Sequence, residues 1–263
     1  LDYASLAPQN PRLVYCSVTG FGQDGPRAQK AGYDFMIQGM TGIMEITGEP
    51  EGMPQKVGVA FADVFTGLYG VIGIQAALAQ RARTGKGQHI DMALFDCMLA
   101  AQANQNLNYL TTGKSPHRMG NAHTSIVPYQ VFPVSDGHIV IACGNNRQFH
   151  NLARALKRED WIIDPKFADN AARLAHRAEA VGQITEVLSH WRKLDVLPVL
   201  ESAGVPSGPI NTIAEALEDP QTLHRQMRIK PEGIPGVRTP IKFSDAQLQL
   251  LRAAPGLGEH DET

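Results

Sequence analysis

Hydrophobic positions in the first half of the chain follow strand and helix periods in turn. The run RLVYCSV, residues 12–18, is rich in β-branched and aromatic residues, which predicts a buried strand. Apolar residues recur at helical spacing from Asp34 to Gly48, and a long apolar helix is predicted from about Val64 to Arg83. The runs QHIDMAL and FDCMLAAQANQNLNYLTTG predict a further strand and helix. This alternation predicts a parallel sheet covered by helices.

The pattern changes after Gly113. The run SIVPYQVFPVSDGHIVIACG contains two β-rich segments separated by Asp-Gly, which predicts a hairpin. Helices are expected over residues 146–156, 170–189 and 193–203, and GVPSGPIN is expected to be the linker that leaves this region. We therefore predict a separate, smaller α+β unit in the second half.

Composition narrows the class of protein. The 263 residues are 43% hydrophobic, enough for a large core, and the net charge of −2 includes no run of like charge that is typical of nucleic-acid or membrane-binding segments. The three cysteines are far apart, which favours a reducing compartment, and no signal peptide or run of about 18 apolar residues is visible. We expect a soluble, cytoplasmic protein. The chain starts at Leu1 without a methionine, so we also expect a fragment.

Asp63 is the first candidate for chemistry, because it stands between an apolar run and a long apolar helix. An aspartate at that place is commonly a helix N-cap. A helix N-terminus also favours an ionised carboxylate, which can attack an acyl carbon, so the two interpretations are compatible. The small residues Ala62, Thr66 and Gly67 beside it would let a substrate approach the backbone, although they also suit helix packing.

Other polar groups have simpler interpretations beside the functional ones. Tyr33 and Asp34 begin a helix, where a buried tyrosine and an N-cap are the ordinary roles. His123, Thr124 and Ser125 lie in a loop before a strand, where they could meet a carboxylate or an oxyanion or form only a loop. The histidines are too scattered to predict a metal site, and neither a phosphate loop, a dinucleotide fingerprint nor a nucleophile elbow is present.

Several motifs in the same order resemble the family III CoA-transferases over nearly the whole chain. They are NPRLVYCSVTGFGQDGP, GYDFMIQGMTGIMEITG, VAFADVFTGLYGVIGIQAAL, RTGKGQHIDMALFD, GVPSGPIN, DPQTLHRQM and LGEH. Within this family, the segment GNAHTSIVPYQVFPVSDGHIVIACGNNRQF is most similar to the succinate–hydroxymethylglutarate type, whose donors and acceptors are dicarboxylic acids. The resemblance therefore implies transfer of CoA from an acyl-CoA, such as succinyl-CoA, to another carboxylic acid.

The resemblance also implies roles for particular residues. Asp63 falls on the family's nucleophile, which forms a mixed anhydride and then an aspartyl-CoA thioester. The loop His123, Thr124 and Ser125 falls near the family's mobile glycine loop but is not glycine-rich, which implies different lid chemistry and a different substrate. The family's coenzyme-contacting segment, with its lysine displaced by one place, falls on Lys30, Ala31, Gly32, Tyr33 and Asp34.

Tyr33 separates the two activities of the family. The racemases carry a histidine there, since moving an α-proton needs a base that titrates near neutrality, which a phenol does not. Tyr33 therefore favours transfer. An acyl-CoA racemase or epimerase, and a non-catalytic acyl-CoA-binding chain, remain the alternatives.

The implied fold is α/β: part of a Rossmann-like large domain at residues 1–114, an inserted smaller α+β domain at 115–205, and a segment returning to the large domain at 206–263. The resemblance implies an interlocked homodimer of a longer chain. Coenzyme A and its acyl thioester are expected as substrates rather than as a resident cofactor, and no metal, nucleic-acid or membrane partner is expected.

Overall fold

The computed structural model describes residues 1–261, which divide into two compact units, Leu1–Ser125 and the chain from Ile126 onwards. The division into segments 1–114, 115–205 and 206–263 stays a prediction, and residues 262 and 263 of its last segment lie outside the described residues. Each unit has its own buried core.

The first unit is built around a pair of parallel strands. Strand β1 pairs with β2 in parallel, with Val14 opposite Gln88 and Thr19 opposite Ala93, which confirms the predicted parallel pairing. A small core of Ile37, Leu94 and neighbouring apolar residues packs beside it. In chain order the elements are α1 (Tyr3–Leu6), β1 (Val14–Thr19), α2 (Asp34–Met40), α3 (Phe61–Thr84), β2 (Gln88–Ala93), α4 (Leu94–Ala101) and α5 (Asn104–Thr112).

Helices α2 and α3 differ from their predicted bounds at the ends. Helix α2 ends at Met40 rather than near Gly48, because Gly42 has a φ of +90°, which a right-handed helix cannot contain. Helix α3 starts at Phe61, earlier than the periodicity of the sequence indicates. It ends at Thr84, and the next residue, Gly85, has the left-handed conformation typical of the residue that follows a helix.

Helix α3 is long and apolar enough, by length and composition, to cross a membrane. Its most apolar 18-residue window has a mean hydropathy of 1.4, and 22% of that window is buried. A core helix of a water-soluble protein meets the same criteria. The large apolar side chains that α3 exposes within residues 1–261 are Val64, Leu68, Tyr69, Val71 and Ile72.

The second unit contains a small antiparallel sheet with helices packed against it. The predicted hairpin is confirmed as β3 and β4, and the sheet order is β3-β4-β5. The elements are β3 (Tyr129–Val134), β4 (Gly137–Ala142), α6 (Asn146–Ala155), α7 (Asp160–Ile163), α8 (Asn170–Ala175), α9 (Arg177–Leu188), α10 (Lys193–Ser202), β5 (Ser207–Pro209), α11 (Ile213–Glu218), α12 (Pro220–His224), β6 (Arg228–Ile229) and β7 (Gly236–Val237).

Two predictions for this unit were wrong in detail. The segment expected to be a linker contains β5, which pairs with Ile139 to Ile141 of β4 and so completes the sheet. The single helix expected over residues 170–189 is two helices, α8 and α9, because the backbone at His176 leaves the helical conformation.

A buried arginine holds this unit together. The Arg173 side chain is 0% exposed, and its guanidinium donates to the Val127 carbonyl (2.7 Å), the Phe167 carbonyl (2.8 Å) and Asn146 Oδ1 (2.9 Å). It also lies over the Phe149 ring, 4.3 Å from the centroid. Burial lowers the pKa of Arg173 from its ordinary value, and three hydrogen bonds take the place of water around the charge.

Replacement of this arginine should destabilise the second unit. Arg173→Leu leaves two buried carbonyls unpaired, and since each costs roughly 1–3 kcal/mol, the free energy of unfolding should fall by about 3 kcal/mol or more. Urea unfolding followed by circular dichroism measures this change. Arg154→Leu, on the exposed side of α6, is the matched control and should change stability by less than about 0.5 kcal/mol. Equal effects of the two substitutions would contradict the role given to Arg173.

The Cys143 thiol should be unreactive in the folded protein. Cys143 is 0% exposed, and burial raises its pKa to about 12. Because the thiolate is the reactive form, iodoacetamide at pH 8 should leave Cys143 unmodified until denaturant is added. Peptide mass spectrometry follows each cysteine, with the partly buried Cys16 as internal reference. Native alkylation of Cys143 as fast as that of Cys16 would show the prediction to be wrong.

Candidate active site at the start of helix α3

Asp63 lies inside the first turn of α3 rather than before it. The helix begins at Phe61, its N-cap is Ala60, and Asp63 is its third residue. The interpretation of Asp63 as an N-cap is therefore wrong, since no side-chain hydrogen bond caps α3 from its own N-cap position. Asp63 is exposed and its carboxylate makes no hydrogen bond or ion pair within residues 1–261.

The missing cap comes from helix α2. Asp34 Oδ1 accepts a hydrogen bond of 2.9 Å from the Ala62 backbone amide, one of the first-turn amides that a helix cannot satisfy internally. The expectation that Asp34 caps its own helix is wrong, because Tyr33 is the N-cap of α2 and no side-chain bond caps that helix. Asp34 therefore fixes the residue that immediately precedes Asp63.

Gln38 extends this network and was not identified from the sequence. Its side chain is 0% exposed, and its Nε2 donates to Asp34 Oδ2 (2.9 Å) and more weakly to the Val59 carbonyl (3.4 Å). Its Oε1 accepts from the Val57 amide (2.9 Å). A signal was present, because Asp34 and Gln38 are polar residues four apart in an apolar helix, the spacing at which such side chains meet.

The first turn of α3 is also held by a side chain of the same helix. Thr66 is 1% exposed, and its hydroxyl donates a hydrogen bond of 2.6 Å to the Ala62 carbonyl. The neighbouring Cys97 thiol is buried, and burial raises its pKa although a hydrogen bond with Thr66 acts in the opposite direction. Asp34 thus holds the amide of Ala62, and Thr66 binds its carbonyl.

Open space lies beside Asp63 on the helix surface. Gly67 is four residues further on, so it shares the exposed face of Asp63. Apart from the adjacent residues and the nearby backbone of α3 itself, a Cβ added to Gly67 would meet no atom within 4 Å among the described residues. A substrate carbonyl could therefore approach the Asp63 carboxylate over the backbone of Gly67.

The residues before α2 form a short segment leading to Asp34. Lys30 and Ala31 are exposed, and 75% of Tyr33 is exposed. Gly32 packs against Gly20 so closely that a Cβ on Gly32 would lie 2.5 Å from the Gly20 Cα atom. This backbone contact fixes the start of α2 against the end of β1.

The predicted substrate loop is anchored elsewhere in the first unit. Upstream of it, the Gly120 amide donates to the Gly48 carbonyl (3.0 Å) and Arg118 pairs with Glu45 (2.9 Å). Within the loop the Ser125 amide donates to His123 Nδ1 (3.0 Å), and the hydroxyls of Thr124 and Ser125 are 3.4 Å apart. Arg118 and Gly120 are thus held by the segment after α2, whereas Asp34 and Gln38 hold the backbone of Ala62 and Val57, which precede Asp63.

A cleft borders the beginning of this loop. It has a volume of about 420 Å³ and is lined by residues that include Gly48, Gln55, Gly120 and Asn121. No group of three or more His, Cys, Asp or Glu residues that could hold a metal ion is found within residues 1–261.

Comparison with known proteins gives consistent matches over the chain. The sequence model of CoA-transferase family III matches residues 1–261. The succinate–glutarate CoA-transferase of Agrobacterium fabrum is 51% identical over 99% of this chain and 66% of its own length. The acetyl-CoA:oxalate CoA-transferase of Acetobacter aceti is 40% identical over 92% of this chain and 63% of its own length. The human succinyl-CoA:glutarate CoA-transferase is 37% identical over 99% of this chain and 60% of its own length. The chain thus spans about two thirds or less of the length of these relatives.

Solved structures have the same fold. A CAIB/BAIF family protein from Brucella suis matches with a TM-score of 0.87 and 59% identity, covering 99% of this chain and 69% of that one. A hypothetical protein from Mycobacterium tuberculosis matches with a TM-score of 0.88 at 24% identity, covering 99% and 70%, which shows the fold alone. These matches confirm the predicted α/β class. Because the family model extends over residues 1–261, the chain belongs to CoA-transferase family III.

Proposed function

We propose that the full-length protein containing this chain transfers CoA from an acyl-CoA to a carboxylic acid, with Asp63 as the nucleophile. The observation that carries the proposal is the exposed Asp63 carboxylate in the first turn of α3, with open space over Gly67. A positioned carboxylate of this kind can form a covalent acyl intermediate. Family membership supports the class of reaction.

The proposed reaction exchanges two carboxylates on one thiol. An Asp63 oxygen attacks the donor thioester carbonyl, the C–S bond breaks, and CoA leaves as a thiolate from a mixed anhydride. The thiolate attacks the Asp63 carbonyl, releases the donor acid as a carboxylate and leaves an aspartyl-CoA thioester. The acceptor carboxylate repeats the sequence in reverse, so Asp63 is regenerated and no net proton or electron is needed.

We propose succinyl-CoA as donor and a short dicarboxylate as acceptor. Two relatives, from Agrobacterium fabrum and human, are named for succinate or succinyl-CoA and glutarate, and the Acetobacter relative for acetyl-CoA and oxalate. Glutarate and oxalate, the second acids in these names, are both dicarboxylic. In this proposal the loop His123, Thr124 and Ser125 contacts the acceptor, since hydroxyl and imidazole groups can hydrogen-bond to a second carboxylate.

The segment before α2 is proposed to contact coenzyme A. Lys30, Ala31 and Tyr33 are exposed, so an ammonium group and an aromatic ring are available to the phosphates and the adenine or pantetheine parts of the ligand. Gly32 packs against Gly20, and Asp34 is the first residue of α2, so these two residues hold the segment in place. The exposed apolar face of α3 supports a homodimer of the full-length protein, which we place in the cytoplasm without nucleic-acid or membrane partners.

Loss of the Asp63 carboxylate should abolish transfer. Full-length protein incubated with succinyl-CoA and quenched with hydroxylamine should give a hydroxamate on the Asp63 peptide, detected by mass spectrometry. Asp63→Asn should give no adduct and lower kcat by about 10³-fold or more, as expected for loss of a nucleophile. Asp96→Asn, which changes an exposed aspartate in the first turn of α4, is the matched control and should retain the adduct and the activity.

The same samples distinguish the alternatives. Exchange of the α-proton with deuterium from the solvent, without an adduct or an acceptor, would support a racemase or epimerase. Acyl-CoA binding that survives Asp63→Asn, with no turnover in either form, would support a non-catalytic chain. Either result would overturn the proposed transfer reaction.

Acceptor selectivity should follow the second carboxylate. With succinyl-CoA as donor, the kcat/KM for conversion of glutarate to its CoA thioester should be at least about tenfold above that for pentanoate. Pentanoate has the same carbon chain with only one carboxylate. When it binds, the hydrogen-bond donors that would contact the second carboxylate are left unpaired. Liquid chromatography of the CoA thioesters measures both rates. Equal rates for the two acids would contradict a dicarboxylate site.

A further inference from the structure

Helix α3 cannot hold its first turn by itself. Its N-cap, Ala60, has no side-chain acceptor, and the loop before it supplies only the contact from the Phe61 amide to the Val59 carbonyl (2.8 Å). A turn of this kind frays unless another group accepts from its free amides. The group that does so is Asp34, 28 residues away in the sequence.

Both carboxylate oxygens of Asp34 are used inside the protein. Oδ1 accepts a hydrogen bond from the Ala62 amide and Oδ2 accepts one from Gln38 Nε2, and each bond is 2.9 Å long. The second bond also fixes the orientation of the Gln38 amide, because turning it over would point its NH₂ group at the Val57 N–H, another donor. Asp34 and Gln38 therefore act as one connected group.

The buried position of Gln38 makes this group stiff. Gln38 and Ala62 are both 0% exposed and Asp34 is partly buried, so the buried polar groups of Gln38 and Ala62 depend on these contacts for their hydrogen bonds. Through Val57 and Val59 the same amide holds the loop that enters α3. Asp34 and Gln38, both on α2, therefore fix the position of this loop and of the first turn of α3 relative to α2.

We propose that Asp34 and Gln38 are positioning residues for Asp63: they fix the first turn of α3 so that the Asp63 carboxylate points at the thioester carbonyl. This inference rests on the proposed function. It gives Asp34 a role that needs no contact with coenzyme A. A displaced nucleophile slows the chemical step by up to about 100-fold while leaving the binding of the acyl-CoA nearly unchanged.

Graded substitutions test the proposal. In Asp34→Asn the side-chain oxygen can still accept from Ala62, but its NH₂ group faces the NH₂ of Gln38, so we expect kcat to fall about tenfold. Asp34→Ala removes both bonds and should lower kcat about 100-fold. The KM for succinyl-CoA should stay within about threefold in both. Asp24→Asn, an exposed aspartate in the preceding loop, is the matched control and should leave kcat and KM unchanged.

A second readout does not depend on the reaction. Hydrogen exchange of the peptide that spans residues 59–66 should become about fivefold faster in Asp34→Ala, the factor expected when one helix cap is lost, and should not change in Asp24→Asn. Circular dichroism of each variant excludes global unfolding. Gln38→Glu, which places a second carboxylate against Asp34, should show the same loss of kcat and the same faster exchange.

The outcomes separate this proposal from the proposed function. Absence of an Asp63 adduct in the unmodified protein would overturn the proposed function and with it the positioning role. An adduct that forms equally fast in the unmodified protein and in Asp34→Ala would overturn the positioning role alone. A raised KM with an unchanged kcat would show that Asp34 contacts the coenzyme instead.

Discussion

The hydrogen bond between the Ala62 amide and Asp34 is the constraint on which the candidate site depends. It satisfies a backbone donor that α3 cannot satisfy from its own N-cap position, and it does so at the residue next to Asp63. Because Gln38 is buried, losing its partners would cost roughly 1–3 kcal/mol for each unpaired group. The proposed nucleophile, Asp63, is exposed and its carboxylate makes no hydrogen bond within residues 1–261, while both polar groups of Ala62, the residue before it, are hydrogen-bonded to side chains.

Elements that depend on near neighbours were predictable from the sequence. Strands β1 and β2, the β3-β4 hairpin and the existence of α3 follow from local periodicity and turn residues. The end of α2 at Met40 was not predicted, because it depends on the conformation of Gly42 rather than on the apolar pattern, which continues further. Strand β5 was missed for a different reason, since its partner β4 lies far away in the sequence.

The candidate site was also predictable only in part. Asp63 could be named from its surroundings and from the family resemblance, but its position within the turn could not. Capping rules assign an aspartate to the nearest helix start, so they placed Asp34 on α2 and Asp63 on α3, whereas the structure has Asp34 capping α3 from α2. Gln38 carried a weak signal only, because a polar residue in an apolar helix has many possible partners until the fold places one beside it.

The contact between Gly20 and Gly32 limits how this region can change through evolution. A Cβ on either residue would lie 2.6 Å or less from the Cα atom of the other, and both positions already lack a side chain that could be shortened. No second substitution at the facing position could make room for the first. The pair therefore has no mutational path in single steps away from glycine, and changes that alter substrate choice must arise around it while the contact between the end of β1 and the start of α2 is kept.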